Sequence, residues 1–229
     1  MSNLELLAID IETTGFDVDD EVTVMGMALP GNCQVACQTG GRSAEDLEAR
    51  VRDQCARKVN VTVFQNEKGL LWAMHAGINA MLEQGEYLVI AYNGETWQGG
   101  FDLPFLRTRF AHHDMSWPLA DAPYADLLPI VEKLFNTTVD GTAENDLPTA
   151  HELLCSDMEP APPADPFDDS AEAVTAFDEG RFDELVRHNV ADIVRTRQLG
   201  TFAQQYCSKS DFDLKSLTPV DGGESESSD

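Results

Sequence analysis

The first apolar segment of the chain ends in two acids, and this feature restricts the fold more than any other. Residues 4–12 (LELLAIDIE) have the apolar run that is typical of a buried strand. Side chains two residues apart point to the same face of a strand, so Asp10 and Glu12 project together. An unpaired charge at the rim of a buried strand is costly. A hard cation with oxygen ligands is the simplest partner, and an acid pair in an ordinary turn is the alternative.

The rest of the chain alternates between strand and helix patterns. Strands are predicted at 4–12, 21–29, 34–38, 59–64 and 86–92. Helices are predicted after a cap at Ser43, from Asp102 or Pro104 to about His112, and at 67–84, 126–135, 149–155, 170–179 and 182–206. This order favours a mixed α/β sheet in one domain at 1–207. A proline-rich loop is expected at 156–168 and an acidic, disordered tail at 208–229.

The charge is strongly acidic, with 41 acids against 15 bases and a net charge of −26. Acids occur along the whole chain, which favours an enzyme from a cell with molar internal salt over a DNA mimic or a solvated acidic module. At about 1 M salt the Debye length is only ~3 Å, so long-range repulsion of phosphates is screened. Twelve acids without a Lys or Arg between residues 140 and 180 predict an exposed, solvated face.

The composition predicts a cytoplasmic protein without a membrane partner. No run of about 18 apolar residues is present, and the first residues do not resemble a signal peptide. The five cysteines are scattered and lack a CxxC pair, so reduced thiols are expected rather than disulfides or a zinc site. Cys33 and Cys37 are expected on one side of a strand.

Two further segments place acids where a site could form. YNG ends a strand, and Asp102 follows a glycine-rich turn at a helix entrance, where it could also act as an N-cap. In the long helix, His188 and Asp192 are four residues apart and therefore share one face. A solvated face of an acidic protein is the alternative for this second pair.

Together, IDIETTG, YNG…FDLPFL and HNVAD resemble the three motifs of the DEDD superfamily of 3′–5′ exonucleases, over about residues 4–202. The exonuclease domain of family B DNA polymerases is the most similar branch, here without a polymerase. The resemblance implies a ribonuclease H-like fold with a mixed five-stranded sheet flanked by helices. It also implies hydrolysis of single-stranded DNA at 3′ ends in repair or proofreading, with a DNA polymerase or repair complex as a candidate partner.

The same resemblance assigns roles to the acids. Two cations, Mg²⁺ or Mn²⁺, would lie about 3.5–4 Å apart. Asp10 would bridge them, Glu12 and Asp192 would complete one, and Asp102 would hold the other. His188 would be the general base. The family's histidine branch places its base five residues before the last Asp and its tyrosine branch four; His188 has the four-residue spacing, so its role stays open.

Contacts to the substrate are less specific in the sequence. Thr13 and Thr14 would face the terminal nucleotide, and Asn93 is a further candidate, although the insert at 95–100 is unusually long. Phe101 or Phe105 could pack near a base or belong to the core. Asp126 could join the site or cap a helix. Five arginines that could follow phosphates flank the second and third motifs: Arg107, Arg109, Arg187, Arg195 and Arg197.

Other functions remain open at this level. An RNA exonuclease would have the same motifs, because the choice of sugar depends on one or two contacts to the 2′ position. A binding module with an inactive nuclease fold is a second alternative. The four carboxylates argue against such a module, and the spacing of His188 argues for it.

Overall fold

A mixed sheet with helices on both faces organises the chain. The computed structural model describes residues 4–95, 101–120, 122–169 and 171–219. The strands are β1 (Glu5–Thr13), β2 (Val22–Leu29), β3 (Asn32–Gln38), β4 (Lys58–Phe64), β5 (Tyr87–Ala91), β6 (Pro123–Asp126), β7 (Thr138–Val139), β8 (Thr142–Ala143) and β9 (Lys215–Ser216). The helices are α1 (Leu47–Asp53), α2 (Glu67–Leu82), α3 (Asp102–His112), α4 (Leu128–Leu134), α5 (Leu147–Cys155), α6 (Glu172–Glu179) and α7 (Phe182–Tyr206), with a 3-10 helix at Lys209–Phe212.

Seven strands form the main sheet, in the order β4-β3-β2-β1-β5-β6-β9, and β7 and β8 form a separate hairpin. The pairs β1–β2, β2–β3 and β6–β9 are antiparallel, and β3–β4, β1–β5 and β5–β6 are parallel. The predicted mixed α/β class is confirmed. All five predicted strands belong to this sheet, and the described residues add β6 and β9, which are too short to show a hydrophobic period.

Alternation along β1 decides which layer each side chain meets. Leu7, Ile9 and Ile11 belong to the apolar cluster formed with α2 and α3. Leu6 and Ala8 belong to the cluster formed with α7 on the other face. Since Asp10 and Glu12 continue the second series, their carboxylates lie on the side of the sheet that α7 covers.

The 25-residue helix α7 packs closely against the centre of the sheet. A Cβ atom added at Gly200 would lie 2.6 Å from Cδ1 of Ile90 and 3.1 Å from Cδ1 of Leu6. A larger residue would force these two side chains to shift, so glycine allows the close approach of the helix to β1 and β5. The helix that carries His188 and Asp192 therefore has a fixed position over the end of β1.

A buried ion pair joins α2, α3 and the turn after β1. The Glu67 carboxylate accepts hydrogen bonds from Nε and Nη2 of Arg109 at 2.8 and 2.7 Å and from the backbone N of Val22 at 2.8 Å. Nη1 of Arg109 donates to the carbonyl of Val18 at 3.0 Å, and His113 lies 2.7 Å from Glu67. These contacts hold the β1–β2 turn next to the end of β1 that carries the acids.

Two details differ from the sequence prediction. Ser43 does not cap a helix; α1 begins at Leu47, and its N-cap residue Asp46 has a φ of 56°. Residues 208–219, predicted as part of a disordered tail, include the 3-10 helix and β9, because Phe212 and Leu217 are buried and β9 pairs with β6. Residues 220–229 lie outside the described part of the chain.

Other predictions hold. Residues 156–168 form a loop that contains turns but no helix or strand. Cys33 and Cys37 face the same apolar cluster, and all five cysteines are free thiols. Within the described ranges, every helix is either too short or too polar to pass through a lipid bilayer.

Candidate functional site

The acids of the first motif lie where three elements of the fold meet. Asp10 and Glu12 are near the end of β1, and the register with β2 shifts between Glu12 and Thr13. The pairing skips Thr23 of β2, and an extra residue of this kind bends the strand that carries it. β5 lies beside β1 in the sheet and is parallel to it, so the chain leaves β5 at the edge of the sheet where β1 ends. The helix α3 then begins with Asp102 at this edge.

The helix α7 supplies His188 and Asp192 to the same place. Nε2 of His188 lies 3.9 Å from Oε1 of Glu12 and 3.7 Å from Oδ2 of Asp192. His188 is 6% exposed, so its ring is enclosed by protein on nearly every side. Residues from β1 and α7 are thereby brought together.

Asn189, the neighbour of His188 on α7, fixes the orientation of Asp10. Its Nδ2 donates to Oδ2 of Asp10 at 2.8 Å, and the residue is fully buried. Opposite Asp10 on β2 stands Gly26, where a Cβ atom would lie 2.0 Å from Oδ1 of Asn189. Glycine is thus required at 26 to make room for this amide. Sequence analysis missed Asn189, although a polar residue one helical turn from the apolar Leu185 and Ile193 is a usable signal.

The four acids repel one another strongly. Burial, followed by the charges of Asp102, Glu12 and Asp192, raises the pKa of Asp10 well above its usual value. Burial and the charges of Asp192 and Asp102 likewise raise the pKa of Glu12. Burial also raises the pKa of Asp192, even though His188 and Arg195 act to lower it. In the absence of cations, ionisation of these carboxyl groups therefore destabilises the folded protein.

The pKa of Asp102 is raised in the same way. Burial and the charges of Asp126 and Asp192 raise its pKa to about 8. Asp126, at the end of β6, accepts hydrogen bonds from the backbone N of Asn93 at 2.8 Å and of Leu128 at 3.1 Å. It therefore contacts the start of α4 and also lies close enough to Asp102 to affect its ionisation. Asp102 itself is the first residue of α3, and Phe101 occupies the N-cap position.

Asp165, from the proline-rich loop, is a site residue that sequence analysis missed. Its Oδ1 is 2.8 Å from Nδ1 of His188, and its Oδ2 accepts a hydrogen bond from Nη1 of Arg195 at 2.7 Å. Burial alone would raise the pKa of Asp165, but the hydrogen bonds from His188 and Arg195 outweigh it and lower the pKa to about 2. Asp165 is one of the twelve acids of a stretch predicted to be solvated, so nothing in the sequence distinguished it.

The neighbours of His188 and its burial shift its pKa in opposite directions. Burial lowers its pKa, while the hydrogen bond to Asp165 and the charges of Asp192, Asp165 and Asp10 raise it, and the net result lies above the usual value. The ring also contacts the aromatic ring of Phe167, with centroids 5.1 Å apart. The histidine is thus held on one side by a carboxylate and on another by an aromatic face.

The predicted substrate contacts are placed beside the acids but have partners within the protein. Thr13 Oγ1 donates to the carbonyl of Gly15 at 2.7 Å, and Thr14 Oγ1 donates to Asp20 at 2.8 Å. The backbone N of Thr14 donates to Glu21 O at 2.9 Å. Asn93 has a φ of 62°. The glycine-rich turn predicted at 99 and 100 lies outside the described residues.

The aromatic residues near Asp102 divide into core and surface. Phe105 is buried in the apolar cluster with α3, which supports the core alternative for this residue. Phe101 packs against the same cluster, with its ring centroid 4.6 Å from that of Phe105 and 5.0 Å from that of Phe16. Phe16 is 67% exposed. The turn after β1 therefore presents an exposed aromatic ring that packs on the residue preceding Asp102.

The five arginines that flank the second and third motifs make different contacts. Arg109 is enclosed by its contacts with Glu67, and Arg195 donates to both Asp165 and Asp192, each at 2.7 Å. The guanidinium group of Arg107 lies over the ring of Trp117, 5.4 Å from its centroid. Arg187 and Arg197 are partly buried on α7. Arg109 and Arg195 thus have structural partners, in contrast to the predicted phosphate contacts.

The donor set suits a hard cation. Asp10, Glu12, Asp102 and Asp192 offer oxygen ligands, and their raised pKa values show an excess of negative charge that a divalent ion would relieve. Possible ligand atoms of Asp165, His188 and Asp192 also lie within 4.8 Å of one another, but Arg195 already donates to both of these carboxylates. The first set is therefore the better candidate.

Comparison with known proteins gives no family assignment: no family model and no curated protein matches the chain. The chemistry of the site is therefore inferred from its own side chains. Clustered carboxylates beside a histidine are suited to binding divalent cations and to moving a proton at a phosphate or carbonyl centre.

Proposed function

We propose that this protein is a metal-dependent 3′–5′ exonuclease of the DEDD superfamily that hydrolyses phosphodiester bonds at DNA 3′ ends. One observation carries the proposal. Four acids that are up to 182 residues apart in the sequence, between Asp10 and Asp192, lie close enough for each to affect the ionisation of another. An acidic surface face would not require them to converge in a partly buried position.

The order of the strands supports a ribonuclease H-like fold. In the series β3-β2-β1-β5-β6, only β2 runs against the other four strands. β4 and β9 would then be additions at the two edges. The acids occupy the ends of β1 and the start of α3, where the two parallel strands β1 and β5 deliver the chain to one edge.

The proposed roles follow from position. Asp10, Glu12, Asp102 and Asp192 would hold two divalent cations, Mg²⁺ or Mn²⁺. Such ions supply Lewis acidity and lower the pKa of a bound water. Asn189 keeps the Asp10 carboxylate in one orientation through its 2.8 Å hydrogen bond. Nε2 of His188 faces Glu12 and Asp192 and would take the proton of the attacking water.

The surroundings of the site also favour a nucleic-acid end as the substrate. With a net charge of −26, the chain lacks the long-range field that attracts phosphates. Short-range contacts must then provide affinity, and the exposed ring of Phe16, which packs on Phe101, is suited to stacking on a base. Stacking accepts any base, which agrees with an enzyme that degrades an end without reading its sequence.

A nuclease assay tests the proposal. The wild-type protein is incubated with 5′-labelled and 3′-labelled single-stranded DNA in high KCl, with Mg²⁺, Mn²⁺ or EDTA. We expect mononucleotides from the 3′ label, a ladder of shortened products from the 5′ label, and no reaction in EDTA. Asp10→Ala should abolish the reaction, whereas Asp157→Ala, which removes an exposed acid from the loop after α5, should not.

Two results would overturn the proposal. One is full activity of the Asp10→Ala variant, and the other is the absence of metal-dependent hydrolysis by the wild-type protein. RNA of the same sequence in the same reaction distinguishes the two exonuclease alternatives, because an RNA exonuclease would consume it in preference to DNA.

A further inference from the structure

Asp165 lies on the far side of His188 from the acidic cluster. Nδ1 of the ring is 2.8 Å from Oδ1 of Asp165, whereas Nε2 faces Glu12 at 3.9 Å and Asp192 at 3.7 Å. The last two distances exceed those of a hydrogen bond, so Nε2 is not bonded directly to either carboxylate.

The carboxylate of Asp165 is held rigidly. It accepts hydrogen bonds from Nη1 of Arg195 at 2.7 Å and from the backbone N of Phe167 at 3.2 Å. The ring of Phe167 is buried against His188. The start of the same loop is fixed to α7, because Nε2 of Gln198 donates to the carbonyl of Pro160 at 3.0 Å. A side chain that was predicted to be solvated is thus held in place by contacts with α7.

We propose that Asp165 is a positioning residue that acts through His188. By accepting the Nδ1 proton, its carboxylate keeps the neutral ring in the tautomer whose unprotonated Nε2 faces Glu12 and Asp192. A base can take a proton from water only through that nitrogen. This proposal rests on the proposed function, since it concerns the histidine of the same site. The proposal also accounts for a histidine four residues before Asp192. The Asp165 carboxylate orients the ring, so the orientation does not depend on the spacing between His188 and Asp192 along the helix.

A carboxylate is required because both of its oxygens accept. Oδ2 receives the Arg195 guanidinium, and Oδ1 receives the imidazole N–H. An amide at 165 has one acceptor and one donor. The charged guanidinium can only donate, and at 2.7 Å it lies closer than the backbone N–H of Phe167, which donates to Oδ1 at 3.2 Å. It would therefore keep the carbonyl oxygen, and the amide NH₂ would face Nδ1 of His188. That arrangement favours the opposite tautomer, with the proton on Nε2.

The variant Asp165→Asn therefore tests the proposal with almost no change in shape. We expect kcat for DNA hydrolysis to fall about 100-fold or more, which is the usual size of a general-base contribution, with KM changed by less than about threefold. Asp168→Asn is the matched control, because it removes an exposed acid from the same loop, and it should retain wild-type kcat. Thermal melts of both variants establish that they are folded.

A double variant separates a positioning role from a structural one. His188→Gln should reduce kcat by a similar factor, and Asp165→Asn should cause little further loss when it is added to His188→Gln. If the two losses multiply instead, Asp165 does not act through the histidine. An unchanged kcat in Asp165→Asn would overturn the proposal as well.

A spectroscopic readout does not depend on activity. The ¹⁵N resonances of the ring, assigned by comparison with His188→Gln, report which nitrogen carries the proton when Mg²⁺ is present and the ring is neutral. We expect the Nδ1–H form in the wild-type protein and the Nε2–H form in Asp165→Asn. An Nε2–H form in the wild type refutes the inference alone. If the wild type lacks nuclease activity, the proposed function fails while this measurement still decides the role of Asp165.

Discussion

Replacing Asp102 by asparagine should stabilise the metal-free protein while removing its response to divalent cations. Burial and the charges of Asp126 and Asp192 raise the pKa of Asp102 from 3.8 to about 8. Below about pH 4 the group is protonated in the folded and unfolded states alike, so it has no effect on stability. As the pH rises from about 4 to about 8, the unfolded state releases the proton and the folded state keeps it, so stability is lost.

The size of the effect follows from the shift. About four pKa units at ~1.36 kcal/mol each give a ceiling of about 6 kcal/mol above pH 8. Because water and counter-ions reach a partly buried carboxylate, we expect about half of this, ~3 kcal/mol, from Asp102→Asn at pH 8. For a chain of this size that corresponds to a rise in Tm of roughly 6–12 °C. At pH 5 the gain should be much smaller.

The assay is urea unfolding at pH 5 and pH 8 in constant KCl, with EDTA or with Mn²⁺. Bound cations stabilise the folded state by mass action, so Mn²⁺ should increase the stability of the wild-type protein far more than that of Asp102→Asn. Asp157→Asn, at an exposed position, serves as the control for the loss of one negative charge. The reasoning is refuted if Asp102→Asn is no more stable than the wild type at pH 8 in EDTA, or if its advantage does not shrink at pH 5.

Further predictions concern the supports of the site. Gly26→Ala should cost about 1–3 kcal/mol in urea unfolding and reduce hydrolysis, because its Cβ would displace Asn189; normal activity would contradict this. Glu67→Gln should cost about 3–5 kcal/mol at pH 7 by leaving Arg109 buried without its counter-charge. Since burial raises the pKa of Glu67 but the hydrogen bonds from Arg109 outweigh it and lower the pKa, that contribution is present above about pH 4.5 and lost as the pH falls, so the variant and wild type should converge in acid unfolding curves. Phe16→Ala should leave Tm unchanged and raise KM for single-stranded DNA about tenfold or more, the effect of losing one stacked base; an unchanged KM would exclude stacking there.

Much of the secondary structure follows from local pattern. The apolar runs of β1, β2 and β5 and the helical spacing of α2 and α7 are long enough to show their periods, so the sequence predicts these elements to within a few residues. β6 and β9 have four and two residues, too few for a period to emerge. They are strands because neighbouring strands supply their hydrogen bonds, and the fold decides which strands are neighbours.

The residues of the site likewise divide into those that local geometry pairs and those that only the fold brings together. Asp10 and Glu12 could be predicted as a pair because strand geometry alone places side chains two residues apart on one face. His188 and Asp192 could be paired because one helical turn separates them. The joining of these pairs with Asp102 could be expected only through the resemblance of three motifs, because no local rule relates residues so distant in the chain.

Asp165 and Asn189 show where local reasoning ends. A proline-rich acidic loop predicts solvated carboxylates, and three other acids of that loop, Asp157, Glu159 and Asp168, have the same sequence context. Only the packing of the loop against α7 selects one of them, because a single carboxylate comes within 2.8 Å of His188 and within 2.7 Å of Arg195. The sequence by itself therefore determined the elements and the acids that regular geometry places on one face. The tertiary structure alone decided which polar side chains from distant segments touch, since such contacts depend on how layers pack and not on the spacing of residues along the chain.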